Sequence, residues 1–262
     1  MKSMGRFLEY LKAGVLPYLA AESIWVIIAS FVRLFMQAVP SVQEDAYLGS
    51  IIVVLLWGMI FTVWYLFEIR GEARENNGSV KLLLSVGTMI HMIFLGVGCQ
   101  FFISGMLGLL ANQFRRLFES YGNVMDSILN GRMLFVILYT VVVAPLAEEI
   151  VFRGVILHKA GRNVPFWGAN ILQATFFGLY HDNVVQGIYA ILVGLLLGLT
   201  YRRFQSIIAP ILLHMIINIA AYIVIGLSTS TLRNSVMVIA GAVFVLLAVN
   251  SLGLVERNIM SE

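Results

Sequence analysis

Residues 82–114 contain no Asp, Glu, Lys or Arg. A helix rises about 1.5 Å per residue, and about 20 apolar residues are enough to cross a hydrocarbon layer of ~30 Å. This run is longer than that. Backbone N–H and C=O groups inside a bilayer must be satisfied within the segment, so the stretch is read as a helix. Residues 46–67 form a second charge-free run. Composition agrees with a membrane protein rather than a soluble domain: 60% of the 262 residues are hydrophobic, 12% are charged and the mean hydropathy is +0.91. The net charge of +3 does not indicate a nucleic-acid partner, because most of the cations fall in the segments between apolar runs.

Read in order, the hydropathy predicts an all-α, polytopic transmembrane helix bundle of about eight spans in a single integral-membrane domain, 1–262. The spans are 16–39, interrupted by Glu22 and Arg33, then 46–67, one within 82–114, 133–157, 164–181, 184–201, 207–227 and 235–254. Residues 111–131 mix Arg115, Arg116, Glu119 and Asp126 with apolar positions, as an interfacial amphipathic helix does. Most of the 17 Lys and Arg residues lie in segments that face inward if the N-terminus is inside: Lys2, Arg6, Lys12, Arg70, Arg74, Lys81, Arg153, Lys159, Arg162, Arg202, Arg203 and Arg257. Arg115, Arg116, Arg132 and Arg233 face outward. The asymmetry predicts that both termini are cytoplasmic. The first span lacks a cleavage pattern and is expected to be retained.

Against this apolar background the polar residues stand out. Ala144–Leu157 reads Ala-Pro-Leu-Ala-Glu-Glu-Ile-Val-Phe-Arg-Gly-Val-Ile-Leu. Ionisable groups inside a membrane cost several kcal/mol unless paired or hydrated, and are functional candidates by default. Glu149 and Arg153 are i and i+4 with the acid first, which predicts an ion pair on one helix face. Glu148 points about 100° away. Left without that cation, it is suited to general-base work. Further along, His181 closes Phe177-Gly-Leu-Tyr-His181, and His214 and Asn218 share a face at i, i+4. His91 stands alone in its run and reads as a packing or hydrogen-bonding residue, and His158 as a solvated loop residue among Lys159 and Arg162. Cys99, the single cysteine, allows no intramolecular disulfide.

Glu148-Glu149-x-x-x-Arg153, then Phe177-x-x-x-His181, then His214-x-x-x-Asn218, on successive spans in that order, resembles the three motifs of the CAAX protease and bacteriocin-processing family. These are abortive-infection-type intramembrane peptidases that include the type II CAAX prenyl endopeptidase. The resemblance covers about 133–227. It implies an intramembrane endopeptidase that hydrolyses a peptide bond of a membrane-associated peptide or protein, prenylated or otherwise membrane-bound. Glu148 would activate a water, His181 would help hold and deprotonate it, and His214 and Asn218 would donate to the oxyanion. Glu149 and Arg153 would be a structural pair, with Phe177 as motif support. Peptide hydrolysis needs a base, a positioned water and donors where charge develops, and these residue types supply each.

No cofactor is expected. A metal is not expected either: there is no His-Glu-x-x-His helix, and Asn218 is a poor zinc ligand. If a metal were used, its ligands would be Glu148, His181 and His214. Expected partners are a peptide or lipidated-peptide substrate and the lipid bilayer, with no nucleic acid; nothing in the sequence speaks to oligomeric state. The expected location is a bacterial cell membrane, multi-pass. Two alternatives remain open: a non-catalytic immunity or scaffold protein of the same fold, and a small proton-coupled transporter. The transporter reading predicts inverted repeats, whereas these motif residues all lie in the second half.

One geometric demand follows. With straight helices, Glu148 lies ~24 Å from Arg132 along its span and His181 ~25 Å from the inner end of the next, so His181 falls further out than Glu148. The resemblance therefore requires either a short fifth helix or a turn that dips into the bilayer, and a wet cavity between spans four, five and seven.

Overall fold

The structure, a computed structural model, describes residues 2–38, 46–70, 82–129, 132–224 and 230–254. Arg74, Lys81 and Arg257, three of the cations used to orient the chain, lie outside the described residues. The helices in order are α1 (Lys2–Ala38), α2 (Ala46–Glu68), α3 (Val86–Leu110), α4 (Arg115–Leu129), α5 (Met133–Gly161), α6 (Phe166–Leu179), α7 (Val184–Phe204), α8 (Ile208–Val224) and α9 (Thr231–Ser251). No strand occurs among the described residues. The chain is an all-α, multi-pass integral membrane protein.

Six helices are long and apolar enough to cross a membrane: α1 from Lys12 onward, α2, α3, α5, α7 and α9. Their outer faces carry large apolar side chains such as Ile27, Phe31, Val86 and Ile239, each more than half exposed, which a bilayer covers and water would not. The predicted fifth and seventh spans are α6 and α8, with 14 and 17 described residues. At 1.5 Å per residue α6 is about 21 Å long, shorter than the hydrocarbon layer. α4 is amphipathic and mixed in polarity, as its charges imply.

The chain divides into two compact units, 1–72 with 122–195, and 73–121 with 196–262. In the first, α1, α2, α5 and α6 surround a core of Trp57, Phe61, Phe152, Val151, Ile156 and Phe177. The Trp57 Nε1–H donates to the Ala21 carbonyl at 3.0 Å, tying α2 to α1. Gly58 is where α2 meets α5: a Cβ there would stand 2.9 Å from the Ala147 Cβ, so the absence of a side chain sets how closely α2 approaches the residue before Glu148. At the other end of α2, Glu68 receives Lys159 at 2.5 Å and Arg162 at 2.9 Å, and the Arg162 Nη2 also donates to the Glu68 carbonyl. His158 belongs to the last helical turn of α5 and is half-buried, whereas a solvated loop position was expected. In the second unit α3 packs against α8 and α9. Its contact with α9 is glycine on glycine: a Cβ on Gly241 would lie 2.6 Å from the Gly98 carbonyl oxygen.

α5 is not wound uniformly. Leu138–Val143 and Ile150–Leu157 are π-helical, and the α turn Ala144–Glu149 lies between them. Proline lacks an N–H, and in an α turn its ring meets the carbonyl four residues back. The wider i→i+5 turn in front of Pro145 takes up that misfit, with the Ala144 N–H bonded to the Tyr139 carbonyl. The winding therefore changes at Pro145.

Candidate active site

Glu148 and Glu149 end the α turn of α5, and Arg153 follows in the second π stretch. All three are buried: Glu149 and Arg153 are 0% exposed and Glu148 is 8% exposed. The Arg153 Nη1 donates to the Glu149 Oε1 at 2.8 Å. Its Nη2 donates to the Gly194 carbonyl of α7 at 3.1 Å, and its guanidinium carbon lies 4.5 Å from the centre of the Phe177 ring. Three helices thus meet at one cation. The same Gly194 carbonyl accepts from the Gln173 Nε2 at 2.9 Å, and that amide also donates to the Asn170 Oδ1 at 2.7 Å. Asn170 in turn donates to the Leu195 carbonyl. A charged group in such surroundings needs compensation, and Arg153 supplies it to Glu149 from one helical turn away. Glu148 remains within the electrostatic reach of Arg153, Tyr139 and Tyr180.

His181 follows α6 in the tight connection to α7. Asp182 has φ 45°, a left-handed conformation that a short polar residue tolerates better than most. The Asn183 Oδ1 accepts from the Val185 and Gln186 N–H groups at 3.1 Å each and so caps α7. These two residues fix where the chain turns, and with it where the histidine ring stands. The His181 Nδ1 is 2.7 Å from the Phe177 carbonyl oxygen. A carbonyl can only accept, so Nδ1 carries the proton, and in the neutral ring Nε2 keeps its lone pair. The ring packs edge-on against Phe177, with centroids 4.8 Å apart, and against Tyr180 at 5.7 Å. Tyr180 also contacts Phe152 and stacks on Trp57. It is the residue common to the surroundings of Glu148 and of His181.

α6 is shorter than the span read from the sequence. The helix begins at Phe166 rather than 164 and ends at Leu179, so the turn that carries His181 comes after about 21 Å of helix.

His214 and Asn218 lie on α8, in the second unit. His214 is 5% exposed and Asn218 is half-buried, one helical turn apart on the same side. Among the described residues of the first unit, no group of three His, Cys, Asp or Glu side chains is arranged to hold a metal ion. The expected alternative ligand set takes its third member, His214, from the other unit, and no step is assigned to a metal here.

The family described as Rce1-like, type II CAAX prenyl endopeptidase Rce1-like, matches residues 130–220. The chain is 22% identical over 173 residues to the "Putative membrane peptidase YdiL" of Bacillus subtilis (strain 168), an alignment covering 66% of each chain, just under two thirds. Residues 130–220 of the chain are thus similar to the CAAX prenyl endopeptidases. No solved structure matches it. The family match contains Glu148, Glu149, Arg153, Phe177, His181, His214 and Asn218.

Several polar and aromatic residues around these positions have no place in the motifs. Asn170 and Gln173 are visible in the sequence as amides in an apolar run, but only the structure connects them to Gly194 and Arg153. Glu22 is visible as a charge in the first span. In the structure it accepts from the Tyr18 hydroxyl and is electrostatically close to Asp182 and Tyr180. Its Oε1 is buried and has no hydrogen-bond partner among the described residues. Tyr180 carries no signal at all in one sequence, since it is one more aromatic residue in an aromatic-rich helix.

Proposed function

We propose that the protein is an intramembrane endopeptidase that hydrolyses a peptide bond of a membrane-associated peptide or protein. Glu148 removes a proton from a water molecule as the water oxygen adds to the scissile carbonyl carbon. His181, through Nε2, accepts a hydrogen bond from the same water and orients it. His214 and Asn218 donate to the oxygen that becomes the oxyanion. As the tetrahedral intermediate collapses, the proton held by Glu148 passes to the leaving amine, the carbon–nitrogen bond breaks, and the base is restored. The observation that carries this reading is the division of labour between adjacent carboxylates: Arg153 bonds Glu149, while Glu148, also buried, is within electrostatic reach of Tyr180, whose ring packs against His181. The tether of Nδ1 to Phe177 supports it, because it leaves the other ring nitrogen as an acceptor.

Glu148→Gln keeps the side-chain shape and removes the base. Hydrolysis is expected to fall by about 10²–10⁴-fold, the usual contribution of a positioned general base, while the variant inserts and melts as the wild type does. The assay compares peptides released from membranes of cells expressing wild type or Glu148→Gln. Identical peptide sets from the two would remove the base assignment and favour a scaffold role for the fold.

A further inference from the structure

Arg33 is the second charge that interrupts the first span, and the mechanism does not use it. It lies on α1 in the wall of a shallow groove of about 280 Å³ between α1 and α2, lined by Trp25, Ala29, Val32, Met36, Val53 and, beside Arg33, Ser50. The Arg33 side chain is exposed, and no acid among the described residues pairs with it. The apolar part of α1, Lys12–Ala38, is centred on Trp25. Arg33 is then about 12 Å from the bilayer middle, just inside a half-layer of about 15 Å, and its stem reaches the headgroup level. From Trp25 to Met36 the groove is about 16 Å long, the depth of one leaflet. A Cβ on Gly49 would lie 3.5 Å from the Met36 Cε, so Gly49 and Ser50 of α2 stand at the same end as Arg33. The groove is therefore apolar from mid-membrane outward and polar, with one cation, where phosphates lie.

We propose that this groove is a binding site for an anionic glycerophospholipid, with an acyl chain along Trp25, Ala29, Val32 and Val53 and the phosphate at Arg33. The occupant is inferred from charge and depth together. A lone guanidinium at that depth is costly without a counter-ion, and a phosphodiester is the anion available there, with oxygens matched to its donor fork. A zwitterionic lipid brings its own cation and cancels most of that gain. This inference is independent of the peptidase reading.

Trp25 is a built-in reporter. The full-length protein is reconstituted in phosphatidylcholine vesicles that contain an equal minor fraction of either brominated-acyl phosphatidylglycerol or brominated-acyl phosphatidylcholine. Quenching of the emission lost on Trp25→Phe is measured. The expected preference for brominated phosphatidylglycerol is about fivefold, as one cation at a membrane surface gives for anionic lipid. It is expected to disappear in Arg33→Gln and to persist in Arg33→Lys. Equal quenching by the two lipids in the wild type overturns the proposal, and that comparison needs no variant to fold. A preference unchanged in Arg33→Gln also overturns it, as does protection of Trp25 from both lipids, which would indicate a peptide in the groove.

Discussion

Replacing Arg153 by Met keeps much of the side-chain volume and removes every contact of the guanidinium. The hydrogen bonds to Glu149 at 2.8 Å and to the Gly194 carbonyl at 3.1 Å go, and so does the packing over Phe177. Glu149, 0% exposed, is left as a buried carboxylate without its cation. Breaking a buried pair from one side costs about 3–5 kcal/mol, most of it the stranded charge rather than the lost attraction. For a chain of this size, roughly 2–4 °C of melting temperature accompanies each kcal/mol. Arg153→Met is therefore expected to lower the midpoint by about 10 °C in detergent, followed by circular dichroism. Adding Glu149→Gln removes the stranded charge. The double variant is expected to recover a large part of the loss, with a coupling of about 2–3 kcal/mol across the cycle. Glu148→Ala is the control: Arg153 still holds Glu149, so the loss stays near 1 kcal/mol. A double variant no more stable than Arg153→Met, or equal midpoints for Arg153→Met and Glu148→Ala, would refute the assignment of Arg153 to Glu149.

Two further outcomes can be stated briefly. Gly58→Val places a branched side chain where even a single Cβ would stand 2.9 Å from the Ala147 Cβ; overpacking of this kind costs about 1–3 kcal/mol, and a variant as stable as wild type would show that α2 and α5 separate freely. Cleavage of a peptide identified by the Glu148→Gln comparison is expected to survive dialysis against a strong chelator, and loss restored by zinc alone would reverse the metal-free reading.

Sequence alone makes the class of the fold legible because hydrocarbon imposes a length on every apolar helix. It fails at α6, where residues 164–181 read as a full span. The helix within them stops at Leu179, because Asp182 turns left-handed and Asn183 caps the next helix. Hydropathy cannot report that, since the turn is as apolar on both sides as a helix would be. At the site, spacing is informative only within one helix. Glu149 and Arg153 can be read as neighbours because a helix puts i and i+4 on one side. Gly194, which is 41 positions from Arg153, and Tyr180, which borders both Glu148 and His181, depend on how helices pack, and a single sequence holds no period for that. The π winding of α5 is equally hidden, though Pro145 marks where something has to give.

That winding also sets how α5 tolerates changes in length. Each residue removed from a regular helix rotates everything beyond it by about 100° and draws it in by about 1.5 Å. A π turn holds one more residue than an α turn. Deleting one residue within Leu138–Val143 can therefore relax that turn to α winding, and Glu148, Glu149 and Arg153 would keep their bearing on α6 and α7. The same deletion inside Val86–Leu110, which is α-helical throughout, would swing half of that helix off its contacts with α8 and α9. The Glu pair thus sits between two adjustable joints, and the lipid-facing ends of α5 can lengthen or shorten by a residue without re-aiming the carboxylates.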